Sequence, residues 1–289
     1  MLLLLVTLRV TSCASTPVDR PSIAELTEPP PAPPPVTQTE CRVAGWEGPA
    51  RANAGSLQTL AWAPFRRPEI GWETYAPLIA REIGTSCGPQ SEGFAKALAA
   101  WQSGQTPPAD GIFKAEDFAR LQGVVQTRRP VIKLAAAKIC PDTADVLATA
   151  RLEEGYSGKT VWLRPGALDA YRRMVAAAKA EVPEIAADPR NLTIFSGYRS
   201  PAADAARCAS EGNCDGIVRA VCSPHRTGLT ADVYVGQAPG FGPDSTADPN
   251  RLFMTRTATY RWLLANAHRF GWVNYPFEPW HWEWTGEAP

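Results

Sequence analysis

Two short stretches near the C-terminus carry residue types and spacings that can do chemistry: Ser223-Pro-His-Arg-Thr-Gly-Leu-Thr-Ala-Asp232 and Glu278-Pro-Trp-His281. Only three histidines occur in 289 residues, and two of them, His225 and His281, fall in these stretches. With Asp232 they offer two imidazoles and one carboxylate as ligands, and Glu278 adds a second carboxylate three residues before His281. Three protein ligands, an open position for water and a Glu to accept the water's proton are the components of a catalytic zinc site. A carboxylate among the ligands keeps Zn2+ electrophilic. The expectation is a zinc peptidase.

Distinct local elements must bring these side chains together. His225 and Asp232 are seven residues apart with Gly228 between them. A single helix would put both on one side, but Gly228 and the β-type run Ala231-Asp-Val-Tyr-Val-Gly236 point to a turn feeding a strand. That alternation sets Asp232 and Tyr234 on one face, Val233 and Val235 on the other. Trp280-His-Trp-Glu-Trp284 alternates too, so His281 and Glu283 share the face opposite the tryptophans, and Glu283 can hydrogen-bond a ligand from behind. Asn191-Leu-Thr-Ile-Phe195 is a further β-prone run. Leu168, Tyr171, Val175 and Ala178 line one helix face, with Pro183 just beyond. Thr257 caps another helix carrying Tyr260, Leu263, Leu264 and Ala267, closed by Gly271. His268, near the end of that helix, reads as a charged group favoured by the helix dipole. The fold class is α+β: a small antiparallel sheet with flanking helices carries the zinc site, preceded by a smaller, mainly helical domain.

Composition bounds the rest. Hydrophobic residues at 45% and charged ones at 20% describe a folded chain long enough for one or two cores. Lys+Arg and Asp+Glu balance at 29 each, with no basic run, so no nucleic acid partner is expected. Residues 1–13 read as an export signal: Leu2 to Val6 are apolar and Val10-Thr-Ser-Cys13 resembles a bacterial lipobox, which would tether the chain by a lipid on Cys13. Residues 14–40, with Pro29-Pro-Pro-Ala-Pro-Pro-Pro35, form an extended spacer. The expected location is the periplasm or cell envelope. The six other cysteines suit up to three disulfides in an exported protein, with the pairing open.

Residues 41–141 are expected to be helical, with a helix over Glu92 to Trp101 capped by Ser91 and presenting Phe94, Ala97, Leu98 and Trp101 on one face. A turn at Pro107-Pro-Ala-Asp-Gly111 separates it from a second helix bearing Phe118, Leu121 and Val125. The run Ala100-Trp-Gln, Ala109-Asp-Gly-Ile-Phe113 and Leu121-Gln122 resembles the helical peptidoglycan-binding domain of wall hydrolases. Residues 142–289 would then be the peptidase domain.

The segments Ser-Gly-Tyr-Arg-Ser at 196–200, Ser-x-His-x-Thr-Gly-x-x-x-Asp at 223–232, Asn266-Ala-x-x-Phe-Gly271 with Tyr275-Pro276, and Glu278-Pro-Trp-His281 follow in one order. Together they resemble the VanY-type zinc D-alanyl-D-alanine carboxypeptidases, relatives of the D-Ala-D-Ala dipeptidases. The resemblance implies His225, Asp232 and His281 as Zn2+ ligands and Glu278 as catalytic base. It implies Arg199 as a donor to the substrate carbonyl or carboxylate, with Ser223 lining the pocket, and peptidoglycan stem peptides as substrate. Thr230 stands where the family usually has Ala, which is expected to narrow the floor of the site. Pro201-Ala-Ala-Asp204 replaces the usual aromatic and Gln positions, and an insertion with Cys208, Cys214 and Cys222 precedes Ser223. An endopeptidase cutting cross-links, or a non-catalytic wall-binding protein with an idle metal fold, would use the same residues.

Overall fold

Proline and short polar side chains start many of the helices of this chain, and glycines at positive φ end several of its turns. In the computed structural model, residues 41–288 are described apart from 106, 107, 138, 142, 213 and 215–222. The lipobox-like segment with Cys13, the proline spacer and Cys222 lie outside the described residues. All of the described residues belong to one compact unit.

The first stretch is mainly helical: α1 (Glu47–Ser56), a β-hairpin of β1 (Ala61–Trp62) and β2 (Glu69–Ile70), then α2 (Ala76–Glu82), α3 (Glu92–Ser103), α4 (Ala115–Gln126) and α5 (Pro130–Ala136). Ser91 caps α3 as its sequence position predicts, its Oγ accepting from Phe94 N at 3.3 Å. The buried face is rotated from the expected one. Ala95, Ala99 and Gln102 are buried beside Phe94 and Leu98, whereas Ala97 and Trp101 are only half-buried. The cause is polar. Gln102 turns inward because it clamps the Asp110-Gly111 turn: Gly111 N donates to its Oε1 at 2.9 Å, and its Nε2 donates to Ile112 O at 3.1 Å and Asp117 Oδ2 at 3.0 Å. Asn53 holds the same turn from the other side, through Gly111 O and Phe113 N. Every buried amide atom there has a partner, as burial requires.

The second stretch mixes helices with short antiparallel strands. In order come β3 (Ala148–Thr149), β4 (Trp162–Leu163), α6 (Pro165–Glu181), α7 (Pro183–Ala187), β5 (Ile194–Ser196), α8 (Pro201–Glu211), β6 (Thr230–Val233), α9 (Asp248–Met254), α10 (Ala258–Asn266), β7 (Trp272–Asn274) and β8 (His281–Trp284). Strands β5, β6, β8 and β7 form one four-stranded antiparallel sheet in that order. Its α+β character and small antiparallel sheets agree with the sequence reading.

The two faces of this sheet differ sharply. Trp272 pairs with Trp284 and Asn274 with Trp282, so these side chains share one face, where Tyr260 of α10 donates to Asn274 Oδ1 at 3.0 Å. Thr257 caps α10 through Tyr260 N, and Gly271, at φ +81, ends the 3-10 turn that follows. Thr230, Asp232, His281 and Glu283 occupy the other face. One cluster of buried hydrophobic side chains includes Trp72, Tyr75, Phe94 and Phe118 together with Leu168, Val233, Leu263 and Trp282. Thr74 Oγ1 donates to Thr255 O at 2.8 Å, and Arg67 pairs with Asp248 at 3.1 Å, so polar contacts also tie the helical stretch to the second. Disulfides join Cys41 to Cys87 and Cys208 to Cys214, and Cys140 is also disulfide-bonded.

Candidate active site

The turn before β6 builds one half of the site. Ser223 caps a 3-10 turn, Pro224–Thr227, by accepting from His225 N at 3.2 Å, and Pro224 supplies the fixed φ of its first position. Gly228 ends the turn at φ +67. That backbone angle favours glycine, and a Cβ there would also press on the Leu147, Ala144 and Arg164 side chains at 3.1–3.2 Å. The chain then enters β6, and Asp232 emerges on the face that His225 overlooks. Thr230 does not narrow the cleft. Its hydroxyl turns away to donate to Pro224 O at 3.1 Å, tying strand to turn.

Strand pairing builds the other half. Asp232 lies directly opposite His281 in the β6–β8 ladder, and the turn between β7 and β8 carries Glu278. That turn is closed by Glu278 N donating to Tyr275 O at 2.8 Å and His281 N donating to Glu278 O at 2.9 Å.

His225, Asp232 and His281 are all buried, and one ligand atom from each lies within 4.8 Å of the others. His225 Nε2 stands 3.2 Å from Asp232 Oδ2, and His281 Nδ1 stands 2.9 Å from Asp232 Oδ1. Donors held at about 2.1 Å by a tetrahedral ion stand about 3.4 Å apart, so these separations fit a small divalent cation. The ring orientations fit too. His225 Nδ1 donates to Gly197 O at 2.7 Å, leaving Nε2 to ligate. His281 Nε2 faces Glu283 Oε1 at 3.3 Å, leaving Nδ1. The group could therefore hold a metal ion.

Electrostatics say the same. Burial alone would raise the Asp232 carboxyl, but the His225 and His281 imidazoles outweigh it and hold the group well below the usual carboxylate range. Burial would lower His281, but its hydrogen bonds to Asp232 and Glu283 reverse this and push it up to about 9. A buried carboxylate held ionised between two imidazoles suits a cation taking the place of the His281 Nδ1 proton.

Glu278 and Arg199 complete the cleft, which encloses about 780 Å³ and is also lined by His225, Asp232, His281 and Ser223. The Glu278 side chain is about one-third exposed, with Oε2 3.7 Å from His281 Nδ1, so it reaches the ligand side of that ring while still meeting solvent. Arg199 is held by Ser196 Oγ at 3.0 Å, Asp204 Oδ1 at 3.3 Å and Ser223 Oγ at 3.4 Å. Burial, then the nearby Arg207, lowers its pKa from the ordinary Arg value. His225, Asp232, His281, Glu278, Arg199 and Ser223 therefore all line one cleft, with Glu283 behind His281.

Several partners were not legible beforehand. Asp204, in the segment that departs from the family pattern, anchors Arg199, accepts from Arg226 Nε at 2.7 Å and from Ser223 N at 3.3 Å. Gly197 contributes only a carbonyl, which no side-chain pattern reveals. His268 does not line this cleft, nor does it carry the charge its helix position suggested. Its Nδ1 lies 3.0 Å from Arg81 Nη1, so it accepts that bond as a neutral ring.

No curated protein matches the chain. Residues 160–287, which supply His225, Asp232, Glu278, His281 and Arg199, match the family model for VanY, D-alanyl-D-alanine carboxypeptidase.

Proposed function

We propose that this chain is a zinc-dependent D,D-carboxypeptidase that hydrolyses the terminal D-Ala-D-Ala bond of bacterial cell-wall peptides. The observation that carries this reading is the convergence of buried His225, Asp232 and His281 in a cleft that Glu278 also enters. The VanY match supports the substrate class. Bound by these three side chains, Zn2+ would supply a Lewis acid for the scissile carbonyl and acidify an attacking water.

The protein's own residues then divide the work. Glu278 accepts the proton of the water as its oxygen adds to the carbonyl carbon, and returns that proton to the amine of the departing D-Ala. Asp232 cannot share this role, because both its oxygens face imidazoles. Arg199, planar and permanently charged, holds the substrate's terminal carboxylate or the developing oxyanion, and Ser223 lines the pocket beside it. The disulfides favour an oxidising compartment, so we take the site of action to be the periplasm or cell envelope. No helix among the described residues is long and apolar enough to cross a membrane, and a lipid on Cys13 would be the membrane tether.

The test is D-Ala release from a synthetic pentapeptide ending in D-Ala-D-Ala, with Zn2+, with chelator, and with Glu278→Gln. Release that needs both the metal and Glu278 is expected, with Glu278→Gln lowering kcat by roughly 10²- to 10⁴-fold. No release from folded, zinc-loaded protein, combined with loss of cross-linked dimers from intact sacculi, would replace this reading with an endopeptidase.

A further inference from the structure

We propose that Arg129, which precedes the matched segment 160–287, is a positioning residue for the metal centre and acts by fixing the ring of His281 through Glu283. This rests on His281 being a zinc ligand, as proposed above, and not on which peptide is cleaved.

The contacts form a chain of buried groups. Glu283 lies two residues after His281 on β8 and shares its face, with its side chain only 1% exposed. Its Oε1 accepts from Arg129 Nε at 2.8 Å and Nη2 at 2.5 Å, and faces His281 Nε2 at 3.3 Å. Val131 N donates to the other oxygen at 3.5 Å. A carboxylate this deep is tolerated only when it is paired and hydrogen-bonded, and Arg129 supplies the charge and two of the bonds.

Arg129 also braces His281 from a second direction. Its guanidinium carbon stands 4.3 Å from the centre of the Tyr275 ring, and that ring meets His281 edge-on with centroids 6.0 Å apart. Gln126 Oε1 fixes the remaining arm of the guanidinium, accepting from Nη1 at 3.1 Å. One cation therefore contacts two neighbours of the ring, Glu283 and Tyr275. With Nε2 committed to Glu283, the other nitrogen, Nδ1, is the one aimed at Asp232. Ligand-orienting partners of this kind set metal affinity.

The placement also says what the helical stretch contributes. Arg129 immediately precedes α5, whose Val131, Ile132 and Ala135 line the same cleft as Glu278 and His281. The stretch before the matched segment thus supplies one wall of the cleft and the brace behind one ligand.

The experiment uses the full chain as wild type, Arg129→Met, Arg129→Lys and Glu283→Gln. Zn2+ affinity is read by competition with a chromophoric chelator, alongside the thermal midpoint in chelator and kcat and KM for D-Ala release. Arg129→Met is expected to weaken Zn2+ binding by about 10- to 100-fold and to lower kcat more than it raises KM. Arg129→Lys should recover part of both, because it restores the charge but not the two-armed grip. A lowered midpoint with wild-type Zn2+ affinity would make Arg129 a purely structural ion-pair partner and overturn the proposal. If Arg129→Met does not fold, Glu283→Gln carries the test, and unchanged Zn2+ affinity in it would overturn the proposal equally. A wild-type protein that binds no Zn2+ would instead refute the metal reading itself. Tight binding without D-Ala release would refute only the substrate.

Discussion

Asp232 and His281 face each other directly across the antiparallel β6–β8 ladder, with Oδ1 of one 2.9 Å from Nδ1 of the other. Two of the three proposed ligands are therefore set by strand register. A slip of one residue would turn Asp232 or His281 onto the tryptophan face and destroy the site. The third, His225, is set by a 3-10 turn whose ends are a Ser cap and a left-handed Gly.

Asp232 touches both imidazoles, so its loss should abolish metal binding more completely than loss of any neighbour. Zn2+ at about 100 times its dissociation constant should stabilise the wild type by about 2.7 kcal/mol. Asp232→Ala should show no zinc-dependent rise in thermal midpoint. A full zinc-dependent rise in that variant would remove Asp232 from the ligand set.

Arg199 is the candidate grip for a free carboxylate, since Ser196, Ser223 and Asp204 hold its guanidinium within the cleft. Arg199→Gln should lower kcat/KM on a pentapeptide by roughly 10²- to 10³-fold, the scale of losing one donor to developing or fixed charge. Amidating the terminal carboxylate should cost the wild type a similar factor but cost the variant little more. If the two losses simply multiply, Arg199 serves the oxyanion and not the carboxylate.

How far the sequence led follows from how far apart the partners lie. The shared face of His281 and Glu283, opposite the tryptophans, was readable because the period of a strand writes it into adjacent residues, and Glu278 because it lies only three residues before His281. Ser91, Thr257 and Gly271 were readable because caps are local. Arg129 was invisible, since its partner Glu283 is 154 residues away and nothing near either residue reports the other. The face of α3 was misjudged because Trp101 looks like a core residue, whereas Gln102 is the side chain that a distant Asp-Gly turn requires. Hydrophobic periodicity sees apolar demand and is blind to buried polar demand of this kind.

His268 should make stability depend on acid pH. Desolvation, then the Arg81 and Arg269 guanidiniums, lower its pKa from the ordinary 6.5 to about 4. Between those values the unfolded chain binds a proton that the folded protein refuses, so the contribution is fully present above pH 6.5 and is lost as pH falls toward 4. Much of the ring meets solvent, which limits the size of the effect. Thermal midpoints followed across this range in chelator should fall further for the wild type than for His268→Gln. Parallel curves would show that the Arg81 contact does not govern the titration.

Gly197 offers the sharpest link between packing and metal chemistry. Its carbonyl accepts from His225 Nδ1 at 2.7 Å, while an added Cβ would sit 2.5 Å from Val161 Cγ1 and 2.6 Å from Trp162 O. The second neighbour is backbone, in the β4 strand that Tyr198 N already bonds, so it cannot swing aside. Gly197→Ala must therefore move its own backbone, and the carbonyl that orients His225 moves with it. We expect a loss of about 1–3 kcal/mol in stability from overpacking, together with about 10-fold or more weaker Zn2+ binding from the disturbed ring. Measured side by side, the two effects test the coupling: a destabilised protein that binds Zn2+ with full affinity would mean that His225 holds its orientation without the Gly197 carbonyl.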